Sequence, residues 1–133
     1  MEKIILLGED NKDEVKFIEH MLKQHENIKL ISCFDGSEII DTLKKENHPD
    51  LIILDINMPK LNGLETIQYI RECGNLCPII VLSTSGQIND VNTAYSLGCN
   101  SYITKPVDFL LFKEKFNRIV EYWLYFNQGC YYV

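Results

Sequence analysis

The run Leu51-Ile52-Ile53-Leu54 constrains the fold of this chain more than any other stretch. Four consecutive apolar residues, bounded by His48-Pro49-Asp50 before and Met58-Pro59 after, describe a strand buried on both faces. Such strands belong to parallel sheets covered by helices on both sides. The run ends in a carboxylate, Asp55. In an open parallel sheet ligands collect beyond the carboxyl ends of the strands, so Asp55 is expected at the rim where chemistry is done. Taken alone, it is also an ordinary strand-end turn former.

The rest of the chain repeats this unit. Ile4-Ile5-Leu6-Leu7 reads as a first strand ending in Glu9-Asp10. Asn11, with Glu14 three residues on as a reciprocal acidic partner, predicts the cap of an amphipathic helix running to about His25. Ile28 to Phe34 gives a second strand, and Asp35-Gly36 turns into a helix from Ser37 to about Asn47. Asn62-Gly63 opens a third helix that should stop near Gly74-Asn75, followed by the strand Ile79-Ile80-Val81-Leu82 and the hydroxyl run Ser83-Thr84-Ser85. A fourth helix, about Ile88 to Leu97, closes at Gly98, suited to a left-handed C-cap. The strand Ser101-Tyr102-Ile103-Thr104 leads to Lys105-Pro106, and Asp108 caps a last helix with Phe109, Phe112, Phe116, Ile119, Val120 and Trp123 on one stripe. Strand and helix alternate five times, which predicts one α/β domain with a parallel sheet and helices on both faces.

The chain has 133 residues, enough for one domain that needs neither metal nor disulfide to fold. A net charge of -6 and the lack of a Lys/Arg cluster argue against a nucleic-acid surface. No stretch reads as a signal peptide or a membrane span. Five scattered cysteines (Cys33, Cys73, Cys77, Cys99 and Cys130) suit a reducing, cytoplasmic setting as buried or idle thiols. Cys73 and Cys77 lack a second pair to complete a metal site, and His20, His25 and His48 show no ligand spacing, so solvated positions are expected for them.

Parallel strands bring their carboxyl ends to one edge, so Glu9, Asp10, Asp55, Ser83 and Lys105 are expected to share a crevice. Crowded carboxylates repel unless a cation neutralises them. Hard oxygen donors favour Mg²⁺, with Mn²⁺ as the alternative, over zinc. A carboxylate nucleophile flanked by such an ion, a hydroxyl and an ammonium suits phosphoryl transfer, each equatorial oxygen of the transferred group needing a partner.

The set Glu9-Asp10, Asp55, Ser83 and Lys105-Pro106 resembles the receiver domain of two-component response regulators over essentially the whole chain. The run from Ala94 to Asp108 and the later Glu121-Tyr122-Trp123-Leu124 resemble stand-alone receivers associated with phytochromes. The resemblance implies a flavodoxin-like sheet with strand order 2-1-3-4-5, a receiver spanning residues 1–127 and a short aromatic tail at 128–133. It makes Asp55 the phosphoacceptor, Asp10 a direct Mg²⁺ ligand, Glu9 a ligand largely through water and Asn57 the donor of a backbone carbonyl. Ser83 matches the switch hydroxyl and Tyr102 the switch aromatic; Lys105 matches the family's lysine, and a cis bond to Pro106 is expected. Two departures stand out. Gly8 replaces a branched apolar residue and is expected to loosen the end of the first strand. Thr84 is larger than the residue most receivers place there.

The implied function is a switch that takes phosphate from a histidine kinase and, without an output domain, signals through protein contacts or passes phosphate on to a histidine phosphotransfer protein. It is a signalling protein and not a metabolic enzyme. Two alternatives stay open: a Mg²⁺-dependent phosphatase, which would ordinarily place an acid where Asn57 stands, and a degenerate receiver acting as a binding module. A homodimer through the fourth helix, fifth strand and fifth helix is also expected, with Tyr122, Tyr125, Phe126, Tyr131 and Tyr132 as an exposed aromatic patch.

Overall fold

The computed structural model describes residues 2–45 and 48–129. The expected end of the second helix at Asn47, the thiol of Cys130 and the tail aromatics Tyr131 and Tyr132 lie outside the described residues.

Strands β1 (Lys3–Gly8), β2 (Ile28–Cys33), β3 (Leu51–Leu54), β4 (Ile79–Ser83) and β5 (Ser101–Thr104) alternate with helices α1 (Lys12–Leu22), α2 (Gly36–Lys44), α3 (Gly63–Glu72), α4 (Ile88–Leu97) and α5 (Phe109–Val120). The strands are all parallel, in the order β2-β1-β3-β4-β5. This is the flavodoxin-like arrangement that the alternation and the resemblance imply.

The period-two geometry of the strands divides the core in two. Leu6, Ile52, Leu54 and Val81 face Ile39 of α2, Ile67 and Ile70 of α3 and Ala94 of α4. Ile5, Leu7, Leu51, Ile53, Ile80 and Leu82 face Ile18 and Met21 of α1 and Phe112, Phe116 and Val120 of α5. A fully buried side chain of this size contributes about 1.5–3 kcal/mol, so the two clusters hold both helical layers to the sheet. Extending the odd-numbered series past the strand ends puts Glu9 and Asp55 on the side of α1 and α5.

The helix ends refine the sequence expectations. The first helix ends at Leu22, not His25; Gln24 and His25 continue only as single turns, and Asn27 takes a left-handed φ of 61° before β2. His25 is not simply solvated, since its ring pairs with Asn117 of α5 at 3.1 Å. Gly98 adopts the expected left-handed cap, with φ 115°. Beyond α5 the backbone widens into a π-helical turn, Glu121–Phe126, whose Leu124 stays buried while Tyr122, Tyr125 and Phe126 are exposed.

Two expectations are overturned. Gly8 does not loosen β1: it pairs with Cys33 on one side and Leu54 on the other. A Cβ there would lie 2.9 Å from Leu54 Cδ2 and 3.1 Å from Met58 Sδ, so glycine makes room for these two buried side chains. The Lys105–Pro106 bond is trans, as is every peptide bond among the described residues. Trans is the lower-energy form even before proline, and with it Lys105 still reaches the rim carboxylates.

Candidate functional site

Lys105 is the centre of the site. Its backbone N–H donates to the Ser83 carbonyl at 2.7 Å, continuing the β4–β5 pairing and aiming the side chain across the strand ends. The ammonium is almost fully buried and lies 2.9 Å from Glu9 Oε1, 3.0 Å from Asp55 Oδ2 and 2.6 Å from Glu14 Oε1. Burial alone would lower its pKa, but the Glu14, Glu9 and Asp55 carboxylates outweigh burial and raise it, so Lys105 stays charged. Glu9 moves the other way from an ordinary acid. Burial, against the opposing pull of Lys105, raises it from 4.5 to about 7.

The second oxygen of Glu9, Oε2, accepts the backbone N–H of Asn11 at 3.1 Å, while the Asn11 side chain accepts from Asp13 and Glu14 N–H groups. The expected reciprocal capping by Glu14 is therefore replaced: Glu9 caps the Asn11 amide and Glu14 turns toward Lys105. Glu14 is the site residue that the sequence reading missed as such. Its position in the first turn of α1 suited a cap, and the signal available was its placement on the helix that opens directly from the Glu9-Asp10 rim.

Among the described residues the other expected ones make no ion pair with Lys105. Asp10 is half-buried, one residue beyond Glu9. Asn57 is exposed, and its backbone N–H donates to Asp55 Oδ1 at 3.2 Å. Ser83 is fully buried on the α4 side of the sheet, where its hydroxyl oxygen accepts the Ser85 N–H at 3.3 Å. Ser85 in turn donates its hydroxyl to Asp90 Oδ2 at 2.5 Å, and its carbonyl accepts the Tyr102 hydroxyl at 2.6 Å. A hydrogen-bonded chain thus runs from Ser83 through Ser85 to α4 and Tyr102. Thr84 points outward, exposed.

Among the described residues no three His, Cys, Asp or Glu side chains are placed to hold a metal ion together. The carboxylates of Glu9, Glu14 and Asp55 converge on the ammonium instead. The donor chemistry nevertheless fits a hard divalent cation: Glu9, Glu14 and Asp55 bring three carboxylates to one rim against the single Lys105 charge, and Asp10 follows Glu9 in the chain. Cys77 is buried, with its thiol against the Pro49 carbonyl, and Cys73 is exposed.

Residues 5–117 match the family model of the response regulator receiver domain. The chain belongs to this family. The receiver is 33% identical over 134 residues to the probable methanogenesis regulatory protein FilR2 of Methanothrix harundinacea (strain 6Ac), covering 95% of this chain and 86% of that protein. It is likewise 33% identical over 134 residues to response regulator Rcp1 of Synechocystis, covering 92% and 89% of the two chains. The Mn(2+)-bound form of Rcp1 superposes with a TM-score of 0.89 over 97% of this receiver and 99% of that chain. The phosphorylated cyanobacterial phytochrome response regulator RcpA superposes with a TM-score of 0.93 at 31% identity, over 98% and 100%. Both relatives are matched along nearly their whole length, so the resemblance is to receivers that stand alone. No helix among the described residues is long and apolar enough to cross a membrane.

Proposed function

We propose that this chain is a single-domain response regulator that accepts a phosphoryl group on Asp55 from a histidine kinase. The observation that carries this reading is Asp55 at the end of the central strand, 8% exposed, with the Lys105 ammonium 3.0 Å from its Oδ2. The carboxylate is reachable from the crevice, and a fixed positive charge stands where a phosphoryl oxygen would develop negative charge.

In the proposed transfer an Asp55 carboxylate oxygen attacks phosphorus. The new O–P bond forms as the N–P bond to the kinase histidine breaks, and that electron pair leaves on the imidazole nitrogen. Lys105 holds one phosphoryl oxygen. The Ser83 hydroxyl turns from the Ser85 N–H toward another. Asp10, Asp55 and the Asn57 carbonyl would hold Mg²⁺ or Mn²⁺, with Glu9 acting largely through water; when bound, the ion neutralises charge on the phosphoryl group. Rcp1 in its Mn(2+)-bound form is one relative that supports such an ion.

Release of the Ser83–Ser85 contact would loosen Tyr102, whose hydroxyl is held by Ser85, and so change the α4–β5–α5 surface read by partners. That surface is the proposed site of phosphorylation-dependent contacts, whether with a phosphotransfer protein or a second copy of the chain, in the cytoplasm. Exposed Ile88 and Tyr95 on α4 support self-association there. Sedimentation that stays monomeric with and without a phosphoryl mimic overturns the dimer.

The decisive experiment is intact mass after incubation with Mg²⁺ and acetyl phosphate, for the native chain and Asp55→Asn. The expected result is one phosphoryl adduct on the native protein and none on the variant. A native protein that is folded yet takes up no phosphoryl group would favour a binding module.

A further inference from the structure

We propose that Glu14 is a positioning residue that parks the Lys105 ammonium against α1 before phosphorylation and competes with the phosphoryl group for it. This rests on Asp55 being the phosphoacceptor. Glu14 Oε1 lies 2.6 Å from Lys105 Nζ, closer than either Glu9 or Asp55. The same oxygen is buried and has no aligned hydrogen bond, so the ion pair is what offsets its loss of water.

The competition follows from charge and reach. Two of the ammonium's N–H groups are bonded, to Glu9 and Asp55, and Glu14 holds it by charge at closer range still. A phosphoryl oxygen has to draw Lys105 out of this cage of three carboxylates. Asp55 is converted by the reaction itself, its carboxylate becoming the ester that presents the phosphoryl group. Glu9 has a second call on its charge, in the Asn11 amide and in the divalent ion the rim is suited to hold. Glu14 has neither relief. It extends from the first turn of α1, outside the strand-end acids, and a phosphoryl group on Asp55 leaves its charge as it was. Lys105 must therefore swing from a position tied to α1 to one tied to the phosphoryl group. Before the swing, the Glu14 charge also repels an incoming anionic donor.

The test uses the full-length native protein, Glu14→Gln and Glu14→Asp, with two readouts. The first is hydrogen exchange of the Lys105 ammonium by NMR in metal-free protein, the signal being assigned by its loss in Lys105→Met. The ion pair slows this exchange, and both Glu14 variants are expected to speed it severalfold: glutamine lacks the charge, and aspartate is one methylene too short to reach. The second is the rate of Asp55 phosphorylation by acetyl phosphate at saturating Mg²⁺, followed by intact mass. Glu14→Gln is expected to be about three- to tenfold faster than native, the scale of a modest, partly screened ion pair.

Unchanged ammonium exchange in Glu14→Gln overturns the proposal, as does a phosphorylation rate equal to native. A Glu14→Asp protein that matches native in ammonium exchange also overturns it, because charge without contact would then suffice. If the native chain itself takes up no phosphoryl group, the phosphoacceptor reading falls first and this inference with it. An adduct on native protein with no change in Glu14→Gln leaves that reading intact and removes only the role given to Glu14.

Discussion

Glu9 and Lys105, from opposite ends of the chain, meet at 2.9 Å in a pocket where both side chains are nearly excluded from water. The contact does not restore Glu9 to an ordinary acid, because burial outweighs it and raises the carboxyl from 4.5 to about 7. A folded-state pKa above the unfolded one means that the folded protein binds more protons between these values. The associated stability is fully present below pH 4.5 and is lost as pH rises through 7. Glu9→Gln, which cannot ionise, is therefore expected to gain on the native protein between pH 5 and pH 8 by about 1–2 kcal/mol, the full linkage value discounted for solvent screening. Urea unfolding at the two pH values, without divalent ions, reads this directly. Parallel pH profiles for the two proteins would show that Lys105 fully compensates the burial.

The thiols divide sharply by environment. Burial pushes Cys77 up to about 12 and raises Cys33 and Cys99 as well, while Cys73 is exposed at the end of α3. The thiolate is the reacting form, so at pH 8 only about one Cys77 in ten thousand is reactive even before access is considered. Brief alkylation of the folded protein followed by peptide mapping is expected to label Cys73 and spare Cys33, Cys77 and Cys99 until denaturant is added. Labelling of Cys77 in folded protein at a rate near that of Cys73 would contradict the closed packing around Pro49.

Much of this architecture is legible in the sequence, for a physical reason. A strand buried on both faces must be apolar throughout, so Leu51–Leu54 and Ile79–Leu82 announce themselves, and their alternation with amphipathic stretches leaves few topologies. The strand-end residues Glu9, Asp55 and Lys105 follow from the topology, since parallel strands deliver them to one edge. What the sequence conceals is choice among partners. Glu14 has the spacing of a helix-capping acid, and only the fold reveals that Glu9 takes the capping amide while Glu14 reaches Lys105. Gly8 misleads for a similar reason. Its loss of a side chain reads as weakness until Leu54 and Met58 are seen to fill the space.

Tyr102 offers a check on the hydrogen-bonded chain beside Ser83. Its phenol donates to the Ser85 carbonyl at 2.6 Å, and Ser85 is tied to Asp90 on the first turn of α4. Tyr102→Phe keeps the ring against the α4 side of the core and removes only the donor. The expected cost is about 1 kcal/mol, with faster amide exchange at residues 84–90 and little change elsewhere. Exchange by mass spectrometry on the unphosphorylated protein tests it. Protection equal to native across the β4–α4 loop would mean that Asp90 alone fixes Ser85.

Gly63 ties the position of α3 to the phosphoacceptor strand. Its N–H donates to the Ile56 carbonyl at 2.9 Å, and a Cβ at this position would press on the Asp55 carbonyl oxygen and come within 2.8 Å of Ile56 Cα. Both obstacles are backbone atoms, which cannot rotate aside as a flexible side chain would. Gly63→Ala must therefore push α3 away from the loop that follows Asp55 or displace the loop itself. Overpacking of this kind costs about 1–3 kcal/mol. Because the displaced atoms adjoin Asp55 and Asn57, slower uptake of phosphate from acetyl phosphate is expected along with a lower melting temperature. The two effects should respond differently to neighbouring substitutions: trimming Leu64, which packs on the α3 side of the core, adds to the loss of stability without touching the Asp55 loop. A Gly63→Ala protein with native stability and native phosphorylation rate would show that the loop after Asp55 yields freely, contrary to its close packing against α3.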